Sequence, residues 1–391
     1  MSLKAFDSRQ AYLTLFLVWL SYIGLYLNRR NISIVLPVLI REVKISYSEA
    51  GFLVSAFFVT YALAQIPSGW LADRLGGLKT LVTGNIITFF SSMMSGLAVN
   101  YPMLLLSRVF CGLGQGMGWP SSTKLVSQSF PEERRGFALG ALTSSVAVGS
   151  FTSLTVSAAI LEWFDWRMVF LIPSIILLFF TLLLFLGLRR FYFNMGDIGS
   201  VGVGFGRVFR DRVVFSSALS YFCWKFGFEG LSYWLPTFFF EVKGFSLRDA
   251  GLIVGVFLLI GMFAMPIGGV LSDRLNRVFI IELSLILAGF LLFIFTISEG
   301  VISLIILMFV SFFFQMSEGI YFTIPADRLK SDLAGTGAGF INSLGQVGSF
   351  SSPLITGIVI EIYHSYTIAF LLYSLLSLLG FSIIWLAKHL Q

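Results

Sequence analysis

Four basic residues of this 391-residue chain stand where charge is least expected: Arg29 and Arg30 in LYLNRRNISIVLP, Arg108 in LLLSRVFCGLGQG, and Lys225 in YFCWKFGFEG. A guanidinium offers paired donors to a carboxylate or phosphate, and in a low-dielectric cavity that contact is worth far more than at a surface. At 100° per residue Arg29 shares a helical face with Tyr22, Tyr26 and Ser33, while Arg108 shares one with Gln115, seven residues on. Binding of a small anion by Arg29, Arg108, Tyr26 and Gln115 is the chemistry this set predicts. Arg30 points elsewhere, and snorkelling to the outer surface, pairing with another helix and a substrate role all remain open to it. Lys225 and Glu229 stand at i,i+4, so they either neutralise each other or Lys225 assists the anion site. Glu229 and Glu318 are the candidates for carrying a coupling proton, because burial disfavours a charged carboxylate. Trp119, Tyr221, Trp224, Tyr233, Trp234, Gln315 and Tyr321 are further candidates for lining a cavity.

These residues are held by a sequence that is 57% apolar and 16% aromatic but only 12% charged, against roughly 25% charged in an average soluble protein. That composition excludes a soluble globule and makes lipid the solvent for most of the surface. The formal charge of +6 therefore belongs to a membrane face, with no nucleic-acid partner. There is no HExxH pair, no Gly-rich loop ending in Lys-Ser/Thr and no nucleophile constellation, and only two histidines occur, so neither an enzyme, a metal nor a cofactor is expected. Cys111 and Cys223 sit in separate apolar runs and read as packing residues.

Twelve apolar stretches approach the ~20 residues needed to cross a bilayer. They fall near 11–37, 49–72, 77–98, 102–125, 137–161, 168–188, 213–239, 249–272, 278–297, 301–324, 336–361 and 367–387. With the N-terminus inside, Lys4, Arg9, Arg74, Lys79, Lys124, Arg134, Arg135, Arg189, Arg190, Arg207, Arg210, Arg212, Arg274, Arg277, Arg328, Lys330 and Lys388 fall on the cytoplasmic side, against Arg41, Lys44, Arg167, Lys243 and Arg248 outside. This asymmetry predicts both termini in the cytoplasm and a multi-pass protein of the cell membrane. Residues 189–210 read as a cytoplasmic linker between a bundle of six helices over 1–188 and a second over 211–391.

The two halves repeat each other. PVLIREVKISYSEAG from Pro37 matches PTFFFEVKGFSLRDAG from Pro236 with one inserted residue, and VGSFTS from Val148 matches VGSFSS from Val347. From Ala50 to Leu75 the match runs without a gap, with identities at Gly69, Asp73 and Arg74 among others. Parallel six-helix repeats are an architecture of secondary transporters whose substrate site lies near the midplane. Gly69 and the glycines at 136, 140 and 149, echoed at 335, 339 and 348, are expected to bring helices into close contact.

GWLADRLGGLK from Gly69 to Lys79 resembles the signature loop of the major facilitator superfamily, and GVLSDRLNR from Gly269 to Arg277 resembles its weaker second copy. RVFCGLGQG, PEERRG after it and DWR at Asp165 to Arg167 extend the likeness over essentially the whole chain. The resemblance implies an all-α membrane protein of twelve transmembrane helices in two pseudo-symmetric bundles. It also implies that Asp73, Arg74 and Lys79, with Asp273 and Arg274 in the second copy, gate the transport cycle. The anion:cation symporter branch carries an acid before the arginine of the first helix and a Glu seven residues after that of the fourth. Here these positions are Asn28 and Gln115, so the arginines remain while both acids are amides, which puts that branch's proton route in doubt. The organophosphate:phosphate antiporter branch is similar at YLNRRN and has a basic residue in the seventh helix, a place Lys225 can take.

The expectation is a monomeric carrier that moves a small organic anion, a carboxylate first, by alternating access. Antiport of a phosphate ester comes second and proton-coupled efflux of hydrophobic compounds third. A channel would be signalled by a filter segment or a ring of subunits, and neither is visible.

Overall fold

In lipid an isolated chain segment can satisfy its own N–H and C=O groups only as a helix. The computed structural model describes residues 8–192, 211–329 and 331–389, and among them there is helix and no strand. Every predicted span is helical. The elements are α1 Ser8–Val38, α2 Tyr47–Leu75, α3 Gly77–Gly96, α4 Tyr101–Gly116, α5 Gly118–Ser129, α6 Glu132–Trp163, α7 Met168–Tyr192 and α8 Arg212–Glu241. Then follow α9 Leu247–Leu259, α10 Gly261–Arg274, α11 Arg277–Ile297, α12 Gly300–Glu318, α13 Ile324–Arg328, α14 Ser331–Tyr363 and α15 Tyr366–His389. Three predicted spans are broken: α4 gives way to α5 at Met117, α9 to α10 at Ile260, and α12 to α13 through a 3-10 turn at Ile320–Phe322. Residues 193–210, most of the predicted linker, lie outside the described residues.

Among the described residues nine helices are long and apolar enough to cross a membrane by length and composition alone. The stretches that fall short are α3, the α4–α5 pair and α8. Their deficit has a cause in sequence: α3 carries Thr80, Asn85, Thr88 and Ser91, α4 carries Arg108 and Gln115, and α8 carries Lys225 and Glu229. Polar helices are tolerated in a membrane when other helices enclose them.

The chain divides into two units, one comprising residues 1–38 and 56–200, the other 39–55 and 201–391. In the first, α1 packs on α6 and α7, and α3 on α4 and α7. The second follows the same scheme, with α8 on α14 and α15, and α11 on α12 and α15. The core of the first unit gathers Leu15, Val18 and Tyr22 from α1, Leu81 from α3, Leu125 from α5, Leu142 from α6 and Leu177 from α7. Leu63, Phe90, Phe263 and Leu375 are exposed, as lipid-facing side chains must be.

Turn chemistry at the helix ends is local and legible. Asn100 accepts from the Met103 N–H, Asp211 from Val213 and Val214, Ser246 from Asp249, and Asn276 from Val278 and Phe279. After α8 the residue inserted by the repeat, Gly244, takes a left-handed φ of 68°, whereas Lys44 takes 59° at the corresponding turn of the first repeat. The segment 39–55 groups with the second unit, where Tyr47 and Tyr366 both donate to the Glu241 carboxylate, at 3.0 and 2.8 Å.

The glycine expectation holds at two positions and fails at others. A side chain at Gly149 would meet Tyr26, and one at Gly348 would meet the backbone of Phe222 and Phe226. Gly69, Gly136, Gly140 and Gly339 face open space, because the helical face they occupy has no neighbour there. Gly335 lies outside the residues whose surroundings are described. Close backbone approach is instead made by Gly84 of α3 against Gly114 of α4.

Candidate substrate and coupling sites

In the first unit, α1 and α4 meet so that the predicted anion ligands converge. Arg108 donates to the carbonyls of Asn28 and Arg29, both at 3.5 Å, and Gln115 Nε2 donates to Leu25 O at 3.0 Å. The Arg29 guanidinium carbon stands 4.7 Å from the ring centre of Tyr61, 5.0 Å from Phe57, 5.2 Å from Tyr26 and 5.4 Å from Phe58. Phe57 also takes Arg108 on its ring at 5.1 Å. Aromatic faces attract a cation, most of all when it is desolvated, yet they leave its N–H groups able to donate.

Burial of these cations is nearly complete: Arg29 is 6% exposed, Arg30 5% and Arg108 2%. Arg30 therefore does not snorkel to the surface. Among the described residues Arg108 has no carboxylate partner, its two carbonyl contacts lie at the long limit of a hydrogen bond, and its Nε is unpartnered. A buried guanidinium in that state gains most from an oxyanion.

The amides that replace the two acids have a defined role. Asn28 Nδ2 donates to Gly24 O at 2.9 Å and Pro173 O at 3.1 Å, and Asn31 Nδ2 to Val169 O at 2.9 Å. An ionised carboxylate has no proton to give to such carbonyls. Asn28, Asn31 and Gln115 thus tie α1 to α7 and α4 with neutral donors. Cys111 fills the space between them, with its Sγ 3.5 Å from Gln115 Nε2.

In the second unit Lys225 is not held by Glu229 alone. Its Nζ donates to Glu318 Oε1 at 3.0 Å and lies 3.7 Å from Glu229 Oε1, with the rings of Trp224 and Tyr221 at 4.9 and 5.6 Å. Sequence reasoning offered the i,i+4 partner and missed the stronger one, 93 residues away. The remaining cavity candidates are mostly packing groups. Trp224 Nε1 donates to Phe314 O, Trp234 Nε1 to Pro353 O, Gln315 Nε2 to Phe257 O, and the Tyr321 hydroxyl meets Ser220.

The repeat is visible atom by atom. Ser153 donates to Leu27 O and Ser352 to Phe226 O, and both members of the second pair stand 199 positions after those of the first. The same register sets Tyr26 opposite Lys225, Tyr22 opposite Tyr221 and Trp119 opposite Glu318.

At the signature loop, Asp73 pairs with Lys124 at 2.7 Å inside its own unit, beside a cleft of about 460 Å³ lined by Gly69, Ala72, Thr123 and Ser127. Arg74 is exposed and lies on the Trp70 ring at 4.3 Å. In the second copy Arg277 joins Asp327 at 2.5 Å and Asp273 at 3.9 Å, and Arg274 is exposed. The partners Lys124 and Asp327 were not singled out from sequence, since nothing in their spacing links them to the loops, whereas Arg277 ends the second motif four residues after Asp273.

The profile of the Major Facilitator Superfamily matches residues 18–353. The probable sulfoacetate transporter SauU of Cupriavidus necator is 28% identical over 384 residues, which cover 90% of this chain and 88% of that protein. The hexuronate transporter of Bacillus subtilis is 22% identical over 371 residues, covering 89% and 87%. In fold, the chain is similar to a bacterial homolog of the human lysosomal transporter Spinster, in an inward-facing and occupied conformation, with a TM-score of 0.80, 16% identity and 98% of each chain covered. The duplicated bundles, the paired signature loops and the family match over most of the sequence agree: the chain is a multi-pass integral membrane transporter of the major facilitator superfamily.

Proposed function

We propose that this transporter moves a small organic anion, a carboxylate by first choice, across the cell membrane by alternating access. Arg29 and Arg108 hold the anionic group, Tyr26 and Gln115 flank it, and Lys225 assists. The observation that carries the reading is the buried Arg108, whose partners among the described residues are two carbonyls and the Cys111 sulfur, all at long range, and one aromatic ring, where an oxyanion would satisfy it. The relatives named for sulfoacetate and hexuronate, both anions bearing carboxylates, support the same class. Exchange of phosphate esters requires Lys225 as a standing anion ligand, and the two carboxylates on its Nζ weigh against that.

Basic residues concentrated in alternate loops support cytoplasmic termini. Asp73 with Lys124, and Asp273 with Arg277, are the proposed gating pairs, with Arg74, Lys79 and Arg274 beside them. The test is uptake into proteoliposomes of a hexuronate, sulfoacetate, a hexose phosphate and a neutral hexose. The carboxylates enter and the neutral sugar does not. Arg108→Gln lowers carboxylate uptake by roughly 10- to 100-fold, the worth of one charge-assisted contact. Uptake of the neutral sugar at an equal rate, or full activity in Arg108→Gln, refutes the anion site.

A further inference from the structure

Proline inside a helix leaves open the carbonyl four residues before it, because its nitrogen has no proton to give. In α7 that residue is Pro173, and the open carbonyl is Val169 O. Asn31 of α1 takes it with Nδ2 at 2.9 Å, and one turn earlier Asn28 Nδ2 reaches Pro173 O itself at 3.1 Å. Both side chains are fully buried, and among the described residues the Oδ1 of each has no hydrogen-bond partner. A buried amide with an unpaired oxygen carries a cost that an apolar residue of the same size avoids, so it is the donors that the chain retains.

These donors hold the part of α1 that carries the proposed anion ligands. At 100° per residue Asn28 and Asn31 lie about 60° apart, on the face toward α7, and Arg29 stands about 160° from Asn31. A turn of α1 about its axis that freed the amides would carry Arg29 off the rings of Phe57, Phe58 and Tyr61 on α2. It would also withdraw the Asn28 and Arg29 carbonyls from Arg108. The repeat adds an independent observation. In the second unit the positions of Asn28 and Asn31 are Gly227 and Gly230, α15 has no proline, and a Cβ at Gly230 would meet the Tyr373 ring. That unit has Phe228 where the first has Arg29. Proline, amides and arginine occur together in one unit and are all missing from these places in the other. Resting on the reading of Arg29 and Arg108 as the anion ligands, we infer that Asn31, with Asn28 beside it, is a positioning residue of the anion site. It uses the carbonyl that Pro173 leaves open as a fixed point on α7, and from there sets the rotation of α1 that aims Arg29.

Two needs can keep an amide at 31: Val169 O lacks a donor, or α1 needs an anchor. Pro173→Ala separates them, because the restored N–H of residue 173 satisfies the carbonyl from within α7 and ties nothing to α1. The experiment uses the full chain purified in detergent, and measures unfolding temperature together with Kd for sulfoacetate and for a hexuronate by calorimetry. Asn31→Leu is expected to lower the unfolding temperature and to raise Kd for both anions by roughly tenfold, the worth of one buried hydrogen bond. In the Pro173→Ala background the same replacement leaves the unfolding temperature nearly where it was and still raises Kd by roughly tenfold. Unchanged Kd in Asn31→Leu, or a Kd that recovers along with stability in the alanine background, overturns the inference and leaves the anion carrier standing. Where Asn31→Leu alone fails to fold, the comparison in the alanine background, with no carbonyl stranded, decides by itself. Failure of the unmodified protein to bind either anion overturns the carrier reading and the inference with it.

Discussion

At three positions related by the repeat, the first unit holds Tyr22 in ring contact with both Tyr26 and Trp119, at centroid distances of 5.6 and 5.4 Å. The second unit holds Tyr221, Lys225 and Glu318, joined by an ion pair. The exchange also runs the other way: Arg29 on the Phe57 ring in the first unit corresponds to Phe228 stacked on Phe257 at 5.6 Å in the second. Both units keep the same helix packing and the same Ser-to-carbonyl hydrogen bond. Duplication has thus preserved the backbone scaffold while charge moved by about one helical turn. One unit carries at Arg108 a buried cation with no acid partner among the described residues, and the other carries a cation already paired with acids.

The sharpest way to break this comparison is to place the same residue at both members of a pair. Lys225→Met leaves Glu229 and Glu318 facing each other with no cation, at a cost of about 3–5 kcal/mol, the range for stranding a buried ion-pair partner. Tyr26→Met removes a ring that packs on Tyr22 and faces the Arg29 guanidinium, and costs about 1–3 kcal/mol. Thermal unfolding of the detergent-purified variants measures both. Combining Lys225→Met with Glu318→Gln recovers part of the loss, because one stranded charge is gone. Equal destabilisation at the two positions, or none at Lys225, shows that the ion pair does not hold this region together.

A smaller effect sharpens the same point. Trp119→Glu alone buries an acid with no cation opposite, and adding Tyr26→Lys rebuilds in the first unit the pair found in the second. A double-mutant cycle on unfolding temperature is expected to give a favourable coupling of about 0.5–3 kcal/mol. Additive losses imply that the two sites do not share the geometry their register indicates.

Much of the proposed anion site is legible in sequence because its information is local. A spacing of seven residues sets Arg108 and Gln115 on one face, and both do meet α1. Turning of α1 by 100° per residue likewise joins Tyr26 to Arg29. The Lys225–Glu318 pair was hidden because its members lie on different helices, and a nearer acid, Glu229, offered a sufficient partner. The repeat held the missing information: Tyr26 and Trp119 both lie against Tyr22, and their equivalents in the second repeat are Lys225 and Glu318. The glycines failed for a related reason. Small residues spaced along a helix show which backbone can approach closely, and say nothing of which face has a neighbour.

That distinction supplies the smallest test. Gly348 lies against the backbone of Phe222 and Phe226, and Gly149 against Tyr26, so Gly348→Ala and Gly149→Ala must push two helices apart or bend α8 and α1. Overpacking of this kind costs about 1–3 kcal/mol. At Gly140 and Gly339 a methyl group meets nothing, and replacing a mid-helix glycine by alanine there contributes up to about 1 kcal/mol of stability. The four variants therefore split by sign within one pair of equivalent helices, α6 and α14, and a shift in unfolding temperature reads the split. Since Gly348 also flanks the stem of Lys225, and Gly149 lies against Tyr26, both alanine variants are expected to slow anion uptake as well, whereas Gly140→Ala leaves uptake unchanged. If all four behave alike, the contacts at 149 and 348 are not the ones that hold α6 on α1 and α14 on α8.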